Sequence, residues 1–549
     1  MAPSLRAEGE ATQGPRDAAP GLLRRFAPRN DGKRVSPPPP QALKARAPVK
    51  FILVFVALCA IEKAIAMFAT GFDDDEAYTL VIARTFALSY FDHPPLHQWI
   101  LHGFVALFGE SHVARAPFWL MIVAINFPLY GLTRRLFGAE AAAWAVFAFN
   151  ATAYFLVMPD GFIMPDTPLL LFLMIAAWAI AEILFAPPGG KRSAGLLWSI
   201  AGLALGCAGL AKYSAIFAPV GLFGFFLGSP RHRHWLWDSR PWLGAGLALV
   251  VIAPALVWNA ENHWVSFAFQ SHRAAAGPSL GAGAWAAVAA GLGAQVAVLS
   301  PWVGLPLAAA LARATRAGAD SGERWLLWLI APPVLLFALM PLLGQRAIPH
   351  WFNSGWIFAF PLAGDWLRAR SVGWLRTWSR AAAALSAATV VLCLAAVIVG
   401  PARFIPFAQL GARDPTRFSY DWPDLRSAPL WRSQSAAGPG FVVVDNWRVG
   451  GRIGIALGPE VPICLFGAAP RGFAFQCDPG NRIGENALLV VPKEGAEDAL
   501  AALSRYFDAV GPSEDFAIGR GGRVERVLTL APARALARVY PLPYGPSRR

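Results

Sequence analysis

Residues 71–96 read GFDDDEAYTLVIARTFALSYFDHPPL. An apolar run at 50–70 precedes this stretch and another at 114–133 follows it. Each run is long enough to cross a hydrocarbon core. The stretch is therefore a polar loop held between two membrane spans. It opens on four consecutive acids, Asp73, Asp74, Asp75 and Glu76. Such a cluster is costly to desolvate and mutually repulsive. It coordinates a cation, stays solvated or does acid–base work, and a solvated negative loop has equal standing for the acids alone. Pro94-Pro95 shifts the balance, because it fixes a turn and lets a new helix start. That holds Asp92 and His93 in defined positions.

Outward from this loop the chain is built of apolar runs. Spans are expected at 50–70, 114–133, 140–158, 164–185, 194–211, 213–228, 242–258, 285–311, 325–343, 352–367 and 381–400. The 549 residues are 56% hydrophobic and only 15% charged, below the roughly 25% charged of soluble domains. The net charge of +14 would raise nucleic acid in a soluble protein. Here the arginines sit in short loops, so membrane topology explains them and no nucleic-acid partner is expected.

Ten Lys and Arg lie at or before Lys50, the start of the first span, which places the N-terminus in the cytosol. Residues 1–48, rich in Pro, Arg and Gly, read as a disordered cytosolic segment rather than a cleaved signal peptide. Alternation then puts Arg134 and Arg135, Lys191 and Arg192, Arg231 to Arg240, Arg313 to Arg324, and Arg368 to Arg380 on the cytosolic side. All of these loops are basic. The alternate loops carry the acidic and polar clusters.

Residues 49–400 thus form the transmembrane region. Residues 401–549 read as a small α/β domain outside the membrane, with strands at 441–445, 487–491 and 524–530 and a helix at 497–506. Of the five cysteines, Cys464 and Cys477 lie in this tail and can pair there if it is outside the reducing cytosol.

Other outer clusters carry candidate chemistry. Met158 to Leu169 holds Asp160 and Asp166. Asp166 before Thr167-Pro168 equally fits a helix cap. Lys212 beside Tyr213 lies between two apolar runs, where a lysine is either functional or snorkelling. Trp258 to Trp264 and Gln270 to Arg273 form a further polar loop. Arg346 and His350 either bind a phosphate or cap a helix end. No single cluster decides, but acids fit to act as bases and cations fit to hold a phosphate all map to one face.

The run DDEAYTLVIARTFALSYFDHPPLHQWI closely resembles the first outer loop of GT-C glycosyltransferases, the branch with protein O-mannosyltransferases and lipid A aminoarabinose transferases. PDTPLLLF, GLAKYSA, PALVWNAENHWVSFAFQ and PHW extend the resemblance over about 51–365. The resemblance implies a GT-C fold, a polytopic α-helical membrane protein of about 11–13 transmembrane helices with a small C-terminal α/β domain. It implies an inverting transfer of a sugar from a polyprenyl-phosphate donor to a glycan, lipid or protein acceptor at the outer face of the inner membrane. Carried over, Asp75 is the general base or acceptor-positioning acid, with Glu76 beside it and Asp166 the second acid. Asp92 and His93 stand where aminoarabinose transferases have Glu-Lys. His93 for Lys puts charge there in doubt at neutral pH, which leaves phosphate binding to Lys212, Tyr213, Arg346 and His350. No nucleotide leaves, so no metal is required, although the acids leave a divalent metal possible.

The rival classes are a transporter or flippase and a membrane scaffold. The first predicts internal repeats and ionisable groups near the midplane. The second gives no reason for acids and bases to converge on one face.

Overall fold

The acid-rich loop folds because Asp73 caps a helix. Its side chain accepts from the backbone N–H of Asp75 and Glu76, while Glu76 reaches back to the Asp73 N–H. This reciprocal capping starts helix Asp74–Ala83, with the acids in its first turn where the helix dipole favours them. A second short helix, Leu96–Phe108, begins directly after Pro94-Pro95. The computed structural model describes residues 48–152, 162–187, 193–274, 277–399, 419–436, 440–520 and 523–545. The N-terminal segment, Asp160, Lys191, Arg192 and the start of the tail lie outside them.

Among the described residues, seven helices are long and apolar enough to cross a membrane: Val49–Ala69, His112–Phe137, Asp166–Leu184, Ala194–Ala211, Ser239–Glu261, Gly322–Leu343 and Val372–Ile398. The chain is a polytopic helical membrane protein. Four of the eleven expected spans differ. The run at 285–311 is broken into Ala282–Val298 and Pro301–Ala314, bent by 118°, with Ser300 at a φ of 64° between them. The run at 213–228 is a short apolar helix. The run at 352–367 splits into Asn353–Trp356 and Ala359–Arg368, whose residues are almost all buried among other helices. The run at 140–158 is helical from Ala139 to Asn150, buried along most of its length, and its remainder falls largely outside the described residues. Hydropathy reads burial in protein and burial in lipid alike, so these four runs need not appear as single long helices.

Contacts sort the loops into two ends. Leu136 packs against Gly322, Ser229 donates to Asp320 at 2.5 Å, His232 Nε2 lies 3.2 Å from the Leu184 carbonyl, and Arg313 pairs with Asp365. The basic loops among the described residues therefore share one end. The acid-rich loop and the other polar clusters share the opposite end.

At that opposite end sits a six-stranded sheet. β1 (Phe441–Val444), β2 (Ile463–Leu465), β3 (Ala487–Pro492), β4 (Phe507–Val510), β5 (Glu514–Arg520) and β6 (Arg523–Leu536) have the order β2-β1-β3-β6-β4, with β5 also on β6. β1 pairs parallel with β2 and β3, and β6 pairs antiparallel with β3, β4 and β5. Strand alternation splits the core. Phe441 and Val443 face a cluster with Cys464, Leu489 and Leu503. Val442 and Val444 face one with Ile453, Tyr78, Val81 and Ile82. The first loop's helix is thus part of the core of the sheet region.

The close approach is built by small residues. A Cβ at Gly451, on helix Trp447–Leu457, would lie 2.5 Å from the Tyr78 nitrogen. Helix Asp74–Ala83 therefore rests directly on that backbone.

Candidate active site

Three of the four acids are already engaged. Asp73 is the helix cap. Asp74 accepts from Arg452 Nε at 2.5 Å. Glu76 is fully buried and takes five donors: Arg115 Nε at 2.9 Å, Arg115 Nη2 at 2.5 Å, and the backbone N–H of Phe162, Ile163 and Asp73 at 2.8, 3.1 and 3.1 Å. Arg115 is 1% exposed and also donates to the carbonyls of Met67, Thr70 and Gly71. Arg115 pulls the Glu76 carboxyl below its ordinary value, outweighing burial. Glu76 thus latches the loop to the ends of two spans.

Asp75 differs from its neighbours. Among the described residues its carboxylate accepts no hydrogen bond. Burial raises its pKa above the ordinary 3.8, with Arg471 and Arg448 opposing and Asp92 and Asp74 adding to the rise. A carboxylate with spare lone pairs and raised basicity is what proton abstraction requires.

Asp92 sits beside it. Tyr78 donates its hydroxyl to Asp92 and accepts the Gly472 N–H at 2.8 Å. Arg471 Nη1 lies 3.3 Å from Asp92 Oδ1. Burial raises Asp92 as well, against the pull of Arg471, the Tyr78 hydrogen bond and Arg273.

His93 lines a cavity of about 240 Å³ with Lys212, Tyr213, Gln270, Arg273 and Trp351. Burial, with His97 and the nearby Lys212 and arginines, holds His93 well below its ordinary 6.5, so it is neutral. Lys212 Nζ donates to Asp166 Oδ2 at 2.7 Å, and both groups are buried. Asp166 opens helix Asp166–Leu184 without capping it through its side chain. Its side chain instead turns to the lysine that ends helix Ala194–Ala211. Tyr213 accepts from Asn259 at 3.4 Å and packs on Phe267. Arg273 stacks over Trp351 and Phe269, 4.9 and 5.4 Å from the ring centres.

Most of the sequence candidates are thereby assembled. Asp75 and Asp92 share the Arg471 side, and His93, Lys212 and Tyr213 line the cavity with Asp166 behind. Arg346 is exposed and does not line the cavity. His350 is beside the cavity-lining Trp351, and burial lowers it to about 4, so it carries no charge at neutral pH. Among the described residues no three His, Cys, Asp or Glu side chains are grouped to hold a metal.

Sequence reasoning missed the arginines. Arg273 was only one member of a polar loop. Arg448, Arg452 and Arg471 come from the tail, more than 370 residues from the acids they face, as with the pairing of Arg452 and Asp74. Their only local signal was a concentration of Arg and Gly around 447–454 and 471–472.

A solved structure described as ArnT from Cupriavidus metallidurans bound to undecaprenyl phosphate overlays this chain with a TM-score of 0.58 at 17% identity, covering 88% of this chain and 98% of that one. The chain has the GT-C fold. At that identity the likeness shows architecture. The family model described as dolichyl-phosphate-mannose-protein mannosyltransferase matches residues 92–258. Lipid A galacturonosyltransferase RgtD of Rhizobium johnstonii is 26% identical over 314 residues, 54% of this chain and 60% of that protein. Lipopolysaccharide core galacturonosyltransferase RgtB of the same organism is 30% identical over 193 residues, 35% of this chain and 38% of that protein. The chain thus spans less than two thirds of either curated relative. Fold, family model and relatives all agree with the resemblance to GT-C glycosyltransferases.

Proposed function

We propose that this protein is an inverting glycosyltransferase. It moves a sugar from a polyprenyl phosphate to a lipid A or lipopolysaccharide-core acceptor at the outer face of the membrane. The observation that carries the proposal is Asp75, a carboxylate with no hydrogen-bond donor among the described residues in a cluster whose other acids are all engaged, one arginine away from Asp92.

In the reaction an acceptor hydroxyl attacks the anomeric carbon and gives its proton to Asp75. The bond from that carbon to the phosphate oxygen breaks, and the polyprenyl phosphate leaves with one more negative charge. Lys212 and Arg273, facing the cavity, stabilise that charge. Asp166 orients Lys212, and Tyr213 and neutral His93 supply further hydrogen-bonding groups. Tyr78 and Asp92 hold the acceptor side. Glu76 positions the helix that carries Asp75 and takes no part in proton transfer. Arg346 and His350 are not assigned to the phosphate. No step needs a metal, because a phosphate monoester leaves rather than a nucleotide diphosphate.

The sugar is a hexuronic acid, galacturonic acid being the one named in both relatives. The basic end of the bundle is the cytosolic one. The sheet region and the cavity then lie outside, in the periplasm of a bacterial cell. The transporter reading gains nothing, since the cavity's titratable groups sit at helix ends.

Incubating purified protein with labelled polyprenyl-phosphate galacturonate and lipid A tests the proposal. Label moving to lipid A is the expected result. Absence of transfer across uronic acid, aminoarabinose and hexose donors overturns it.

A further inference from the structure

Cys464, at the centre of β2, is bonded to Cys477. The bond closes a loop whose separation along the chain is 13 residues, with Cα atoms 5.2 Å apart. Both cysteines are buried, in the cluster on the face of the sheet away from helix Asp74–Ala83. The loop between them crosses to the other side and carries Arg471 to Asp92.

The loop is seated at several points. Gly472 donates its N–H to Tyr78. Phe473 packs against the Tyr78 ring, 5.6 Å between centres. Gln476 donates to the Ile82 carbonyl at 3.2 Å and accepts from Thr85 at 2.9 Å. Tyr544 accepts the Arg471 N–H at 2.8 Å and stacks on Phe91. Trp447 lies under the guanidinium, 3.8 Å from it.

Arg471 itself has a φ of 50°. A residue with a Cβ is disfavoured there and persists only where its surroundings over-determine it. The conformation aims the guanidinium at Asp92 and Asp75. Arg471 is also the largest single charge influence on both acids.

We propose that the Cys464–Cys477 disulfide is the device that positions Arg471 in the active site, so that the enzyme becomes competent only after this bond forms. The disulfide ties one end of the loop to the sheet. Without it, the strained turn at Arg471 rests on the contacts just described and on its own Phe473-to-Pro470 backbone hydrogen bond, and the guanidinium leaves the two acids. Oxidation removes two electrons and two protons from the thiols and passes them to a disulfide-exchange partner. Competence is thereby linked to an oxidising compartment. This inference rests on the transferase reading for its activity readout only.

The test uses full-length protein with Cys464→Ser/Cys477→Ser, Cys464→Ala/Cys477→Ala and Arg471→Gln. Hydrogen exchange across 468–476 reads loop position without any catalysis. Exchange there is expected to rise by about tenfold or more in the double variants, with 487–492 unchanged. In the transfer assay the double variants and Arg471→Gln should lose kcat to a similar extent. The midpoint of the acid limb should move to higher pH in each, because Arg471 no longer holds Asp75 down. A merely stabilising bond would leave that midpoint in place. Wild-type exchange in the loop, or an unmoved acid limb despite a loosened loop, overturns the proposal. So does general unfolding of both double variants. If the wild-type protein transfers no sugar, the transferase reading fails, while the exchange result still decides whether the disulfide positions the loop.

Discussion

Lys212 Nζ lies 2.7 Å from Asp166 Oδ2, a buried ion pair joining the start of one membrane helix to the end of the next. One ammonium proton is committed to Asp166, leaving two for a ligand in the adjoining cavity. Removing one partner strands the other charge, which costs about 3–5 kcal/mol. Lys212→Met should therefore lower thermal stability in detergent sharply. Lys212→Met/Asp166→Leu should recover most of it, yet remain inactive. Recovery of transfer in the double variant would show that the lysine is structural.

Arg115 and Glu76 form the second buried pair, and here no catalytic loss is expected beyond the loss of fold. Arg115→Met should destabilise by a similar amount, about 3–5 kcal/mol, on thermal melting. The Glu76 carboxyl is held below its ordinary 4.5. Its contribution is therefore fully present above that value and lost as pH falls through the lower folded value. A wild-type melting temperature that drops on acidification below about pH 4.5, with the drop absent in Glu76→Gln, is the expected pattern.

The pH dependence of transfer separates the groups. Asp75 must be ionised to take a proton, and burial raises it above 3.8. The acid limb of kcat should consequently lie above the ordinary aspartate range. His93 is held well below 6.5 and should add no limb near neutrality. A single ionisation near 6.5 that disappears in His93→Gln would contradict this assignment. Because the folded value of Asp75 is raised, its charged form opposes folding as pH rises through that value. Asp75→Asn should thus be no less stable than wild type at pH 7.

Arg273 and Arg346 make a paired comparison. Arg273 lines the cavity and stacks on Trp351, whereas Arg346 is exposed and outside the lining. Arg273→Ala should weaken donor use by about tenfold or more in kcat/KM, a charge-assisted contact being worth about 1.5–3 kcal/mol. Arg346→Ala should stay near wild type. Equal losses would place the phosphate elsewhere.

Much of this was legible in the chain before folding. The run 71–96 showed both the acids and the Pro-Pro turn, and the basic loops that fall among the described residues lie together at one end of the bundle. The strands at 441–444 and 487–492 stood out because they are buried on both faces and read as continuous apolar runs. β2, three residues long, and β4, half exposed, carry no such signal. The breaks within apolar runs were not legible, as where 352–367 splits into Asn353–Trp356 and Ala359–Arg368. The division of labour among Asp73, Asp74, Asp75 and Glu76 was hidden, because it depends on Arg115 and Arg452, partners set only by tertiary packing. Asp166 read equally as a cap, and only its contact with Lys212 distinguishes the two roles.

The most direct measurement is transfer by wild type and Asp75→Asn at matched abundance and matched thermal stability, using labelled polyprenyl-phosphate galacturonate and lipid A. Loss of the base should reduce kcat by about 10²–10⁴-fold, with the variant as stable as wild type. Transfer at the wild-type rate by the variant would contradict Asp75 as the residue that accepts the acceptor's proton.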